Sequence, residues 1–134
     1  MCMDNRKSIR VPENFAYILR AGGGNLRYSE FKVSYAISLG GVRYIVLIGH
    51  NNCGMVDLFP KKEQFVRGLV DGAGWSRLAA EKHFDKYVEM FEIKDAIGFV
   101  VSEAKRLKVK YPKIEVVPLM FQLEDKLLYA IKES

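Results

Sequence analysis

Two cysteines and one histidine carry the metal-binding chemistry legible in this chain: Cys2, His50 and Cys53. His50 and Cys53 stand in His50-Asn51-Asn52-Cys53-Gly54, directly after the apolar run Tyr44-Ile45-Val46-Leu47-Ile48. Two intervening residues let an imidazole and a thiolate turn toward one ion across a tight turn, as in other paired zinc ligands. In open α/β sheets, ligands gather outside the carboxyl ends of the strands, and His50 falls at such an end. Cys2 completes a set of two thiolates and one imidazole. That set suits Zn²⁺ and leaves a fourth position for water or substrate. Cys2 must then arrive from a neighbouring strand end.

Cys2-Met3-Asp4-Asn5-Arg6 adds a carboxylate and a guanidinium just beyond the first cysteine. An Asp held by a bidentate Arg stays ionised and fixed in orientation, so Asp4 could accept a proton from zinc-bound water. Each feature also has a plain structural reading. A single Cys packs as a small hydrophobe, and an Asp–Arg pair on a surface contributes little. The weight lies in their combination.

The elements that must position these residues follow from pattern. Ala16–Leu19 is a short apolar run ending in Ala21-Gly22-Gly23-Gly24-Asn25, which predicts a strand and a Gly-rich turn. Ser29 opens a helix running to about Leu39, stopped by Gly40-Gly41. The continuous β-branched run Tyr44–Ile48 predicts a strand buried on both faces. Pro60 starts a helical segment ending near Asp71-Gly72-Ala73-Gly74, and Ala80, Phe84, Tyr87, Val88 and Phe91 recur at helical spacing after Trp75. A further helix spans about Lys94 to Lys108, with Ile97, Val100, Val101, Ala104 and Leu107 as its apolar stripe. Ile114–Phe121 and Lys126–Ile131 predict two strands joined by Leu123-Glu124-Asp125. The order predicts an α/β fold, a central, mostly parallel β-sheet flanked by helices, with residues 1–134 as one domain.

Composition narrows the function classes. Of 134 residues, 49% are apolar and 28% charged, the balance of a globular chain rather than a disordered one. The net charge of +5 is mild, and the cluster Lys105, Arg106, Lys108, Lys110 and Lys113 has no aromatic platform beside it, so no nucleic-acid partner is expected. The longest apolar runs are strand-length, and no secretory leader is visible, so no membrane partner is expected. Two cysteines make no secreted disulfide framework, and a cytoplasmic location is expected. His83 falls on the polar side of its helix and is expected to face solvent.

Cys2-x-Asp4-x-Arg6 followed by His50-x-x-Cys53-Gly54 resembles the signature of the β-class carbonic anhydrases, the compact archaeal and bacterial type above all. The resemblance extends through Gly24-Asn25, the Ser29–Leu39 helix and the Tyr44–Ile48 strand, and more weakly into the final strand pair. It implies zinc held by Cys2, His50 and Cys53, with Asp4 and Arg6 as the catalytic dyad. It further implies reversible hydration of CO2 to bicarbonate and a proton, by dimers or assemblies of dimers. The chain departs from the pattern in two places. The family carries an N-terminal arm and a first strand ahead of the cysteine, where this chain has Met1, and the glycine turn is one residue longer here. Relatives with a similar centre hydrolyse CS2 or COS, and a zinc-stabilised dimer without activity is a third reading. The aromatic-rich stretch Phe59–Phe91 carries no motif and is expected to cover the pocket or pack on a second subunit.

Overall fold

The computed structural model describes residues 1–3 and 10–132. Among the described residues, four α-helices and three strands follow in the order α1 (Glu30–Ser38), β1 (Tyr44–His50), α2 (Lys62–Ala73), α3 (Arg77–Phe91), α4 (Ala96–Lys110), β2 (Glu115–Phe121) and β3 (Leu128–Ala130). The sheet order is β1-β2-β3. β1 and β2 run parallel from Tyr44↔Glu115 to His50↔Phe121, and β3 returns antiparallel beside β2. A parallel pair needs a long crossover, and α2, α3 and α4 supply it. The expected helix-flanked, mostly parallel sheet is what forms.

Local chemistry explains the boundaries. Phe59–Lys61 forms a single tight turn with Pro60 in its first positions and leads into α2. The Ser76 hydroxyl accepts the Ala79 N–H at the start of α3, and the Asp95 carboxylate accepts the Gly98 N–H at the start of α4. α3 buries Ala80, Phe84 and Val88, one face at four-residue spacing. α4 buries Val100, Ala104 and Leu107 against Leu47 of β1 and Val116 and Met120 of β2, and Leu26 and Val33 join the same cluster. Gly49 permits this approach: a Cβ there would lie 2.5 Å from Val100 Cγ2.

Four expectations are corrected. Ala16–Leu19 is not a strand. A strand requires a paired neighbour, and among the described residues the backbone of this segment is met by Met1, whose ammonium donates to the Leu19 carbonyl. β1 is not buried on both faces. Its Leu47 side is covered by α4, whereas Tyr44 is 69% and Val46 51% exposed, and Val117 beside them on β2 is 41% exposed. Ile97 lies outside the buried stripe of α4, and Glu103 lies within it, fully buried. Arg106 and Arg27 pair with that carboxylate, which is what makes its burial tolerable. His83 does not face open solvent: its ring lies 5.0 Å from those of Trp75 and Tyr87 and 6.3 Å from that of Phe65. Phe65, Trp75, Phe84 and Tyr87 thus form one ring cluster with His83 in the α2–α3 hairpin, while Phe91 packs on Tyr28 and Phe59 stays half exposed. Among the described residues, no helix is long and apolar enough to cross a membrane.

Candidate metal centre

Cys2 is positioned by backbone. Ala21 N–H donates to the Met1 carbonyl at 3.0 Å and Met3 N–H to the Ala21 carbonyl at 3.2 Å, a parallel pairing that lays Cys2 beside Ala21. The Met1 ammonium donates to the Leu19 carbonyl at 2.8 Å. Burial, with the Arg20 charge adding to it, lowers the pKa of that ammonium. Directly after Ala21, Gly22–Gly24 make a tight buried turn that faces the cysteine. Gly23 holds φ +64°, and its N–H donates to Cys2 Sγ at 3.0 Å. A Cβ on Gly23 would sit 2.9 Å from Ile93 Cδ1, so both the torsion and the space require glycine. Asn25 ties this turn to the end of α3 through Nδ2 and the Met90 carbonyl at 3.0 Å.

His50 is the last residue of β1, and the chain turns immediately after it. Its Nδ1 lies 2.7 Å from the Asn51 carbonyl, which can only accept, so Nδ1 carries the proton. Nε2, the other ring nitrogen, is buried and, among the described residues, without a hydrogen-bond partner. Asn52 takes a positive φ of 52° and brings Cys53 back toward the strand end. Lys61 Nζ donates to the Gly54 carbonyl at 2.8 Å and to the Val56 carbonyl at 3.3 Å, fastening the far side of the turn.

These elements bring Cys2, His50 and Cys53 together. All three are buried, and one ligand atom from each lies within 4.8 Å of the others. The two sulfurs are 3.6 Å apart and are not joined in a disulfide. Ile93 completes the buried cluster around the sulfurs, with Met55, Val56 and Phe99 packed against it. Two cysteine sulfurs, an imidazole nitrogen without a hydrogen-bond partner among the described residues, and apolar neighbours make a donor set that fits Zn²⁺. A structural core histidine would have its second nitrogen satisfied. Asp4 and Arg6 lie outside the described residues.

Sequence reasoning passed over Asn51 and Lys61. Lys61 carried no signal that set it apart from Lys62, which pairs with Asp85 instead. Asn51, inside the spacer of the His-x-x-Cys element, carried none.

No protein-family profile matches the sequence, and no curated protein matches it. Solved structures share its fold. The carbonic anhydrase of Glaciozyma antarctica superposes with a TM-score of 0.73 at 23% identity, covering 98% of this chain and 78% of that one. A carbon disulfide hydrolase gives 0.66 at 17% identity, covering 99% of this chain and 76% of that one. The β-carbonic anhydrase isoform I of Trichomonas vaginalis gives 0.64 at 19% identity, covering 84% of this chain and 65% of that one. These superpositions show the fold: the chain has the fold of the β-class carbonic anhydrases.

Proposed function

We propose that this protein is a zinc-dependent lyase of the carbonic anhydrase type, converting CO2 and water reversibly to bicarbonate and a proton. The observation that carries the reading is the buried cluster of Cys2, His50 and Cys53 at the carboxyl end of β1, on a fold shared with carbonic anhydrases. Those three side chains would hold the metal. When bound, Zn²⁺ supplies a Lewis acid that brings the pKa of water toward neutrality. The proton on His50 Nδ1 is retained by the Asn51 carbonyl, leaving Nε2 as the donor. The Gly23 N–H withdraws charge from Cys2 Sγ, which tempers the donor strength of that thiolate. Asp4 is the proton acceptor in this reading, and Arg6 holds it ionised and oriented. The apolar side chains of Met55, Val56, Ile93 and Phe99 suit a small linear substrate without charge. The protein would work as a homodimer or higher homo-oligomer, in the cytoplasm, where thiols stay reduced.

The superposition on a carbon disulfide hydrolase favours a second reading, in which the same centre hydrolyses CS2 or COS. Stopped-flow CO2 hydration with the zinc-loaded protein tests the first. Acceleration over the metal-free protein is expected. Turnover of CS2 or COS with no effect on CO2 selects the second reading. Zinc binding with neither activity leaves a zinc-stabilised assembly without catalysis and overturns both.

A further inference from the structure

The turn that carries His50 and Cys53 is fastened to the turn between β2 and β3 by one side chain. Asn51 Nδ2 donates to both carboxylate oxygens of Glu124, at 2.8 and 2.7 Å. Asn51 Oδ1 accepts the Leu123 N–H at 2.8 Å. The main-chain carbonyl of the same residue faces His50 Nδ1 at 2.7 Å. One residue therefore locks its own peptide unit to a neighbouring loop and uses that peptide unit to orient the imidazole. The receiving loop is itself held, because Gln122 N–H donates to the Leu127 carbonyl at 3.0 Å and Lys126 N–H to the Gln122 carbonyl at 2.8 Å. The parallel register ends at His50↔Phe121, which brings the two turns side by side.

We propose that Asn51 is a positioning residue of the metal centre, acting through the Glu124 and Leu123 contacts to hold the carbonyl that fixes the His50 tautomer and ring orientation. The inference rests on the reading of Cys2, His50 and Cys53 as zinc ligands. Partners of this kind, one bond removed from the metal, typically change affinity by about 10- to 100-fold when lost. Asn51→Ala removes both anchors and leaves the Leu123 N–H unsatisfied. Asn51→Asp keeps the acceptor for Leu123 but sets a carboxylate against Glu124. Asn51→Asp combined with Glu124→Gln restores the pair with donor and acceptor exchanged, since the Gln amide donates to the Asp carboxylate.

The test is competition for zinc between the purified protein and a chromophoric chelator, read as a dissociation constant and a zinc off-rate. Thermal unfolding of the zinc-free proteins is measured in parallel. Zinc affinity is expected to fall about 10- to 100-fold in Asn51→Ala and in Asn51→Asp, and to recover in the exchanged pair. A merely structural role would lower the unfolding midpoint of the zinc-free protein without moving the zinc off-rate, and that result overturns the proposal. So does an exchanged pair as weak as Asn51→Ala. Where Asn51→Ala fails to fold, Glu124→Ala decides: it changes an exposed side chain only, and unaltered zinc binding in it overturns the proposal. A wild type that holds zinc while every variant matches it defeats this inference alone. A wild type that holds no zinc defeats the metal reading and this inference with it.

Discussion

The backbone N–H of Gly23 points at the sulfur of Cys2, 3.0 Å away, although the two residues come from different segments and neither is in a strand. The contact exists because Ala21 pairs with Met1–Met3 and the chain then folds over in a left-handed glycine turn. Gly23→Ala is expected to cost about 1–2 kcal/mol in backbone strain and to push Ile93 aside, weakening zinc binding as well as the fold. Gly41 has a similar φ of +69° with open space around it, so Gly41→Ala should show the strain without the loss of zinc. Unfolding curves and zinc titrations of the two variants make the comparison.

Freshly purified protein is expected to hold one zinc per chain. Cys53→Ser or His50→Ala should abolish tight binding, because each removes one of three donors that lie within 4.8 Å of one another. Elemental analysis checks the stoichiometry. Cobalt substitution checks the donors, through thiolate-to-metal absorption that a site without Cys2 and Cys53 would lack.

Asp4→Asn is expected to lower CO2 turnover by about 10²–10⁴-fold while zinc content is unchanged, the usual range for a lost proton-transfer group. Arg6→Ala should be nearly as harmful, by loosening Asp4 rather than by touching substrate. Stopped-flow rates beside metal analysis separate this outcome from simple loss of zinc.

The open sheet face of Tyr44, Val46 and Val117 is expected to lie against a second copy of the chain. An obligate contact of this kind buries about 2,000 Å² or more in total. Light scattering of the wild type should give at least twice the 15.3 kDa of one chain. Val46→Lys with Val117→Lys should bring the mass down to that of a single chain. A monomeric wild type with full activity would refute the assembly.

Glu30 of α1 is held by Lys110 and Arg106 of α4. The Lys110 hydrogen bond, with Arg106 adding to it and partial burial opposing, keeps the Glu30 carboxyl below the usual range. A depressed carboxylate pKa stabilises the fold above the unfolded-state value, and that stabilisation is lost as pH falls through the folded-state value. Glu30→Gln should therefore cost at most about 1 kcal/mol near neutrality, and the difference from wild type should shrink below about pH 4. Denaturant unfolding across that pH range measures it.

Much of this protein was determined by the sequence alone. Residue type and spacing picked out Cys2, His50 and Cys53, because thiolate and imidazole donors are rare and the His-x-x-Cys spacer is short. Helix periodicity and the Gly and Pro that interrupt it located α1 to α4 to within a few residues, since those signals are local; Ser29, read as the cap of α1, makes no side-chain cap bond. What lies between distant segments was not legible. The Ala16–Leu19 run has strand composition, but a strand depends on a neighbour, and local sequence does not say whether one is there. Tyr44 and Val46 look like core residues until the placement of α4 leaves their face open. Glu103 reads as a solvent residue until Arg27 and Arg106 close around it. Asn51 is an unremarked spacer until the register of β1 and β2 sets it against Glu124. Covalent spacing determines which atoms could bind a metal; only packing across the sheet decides which of them are held still enough to do so.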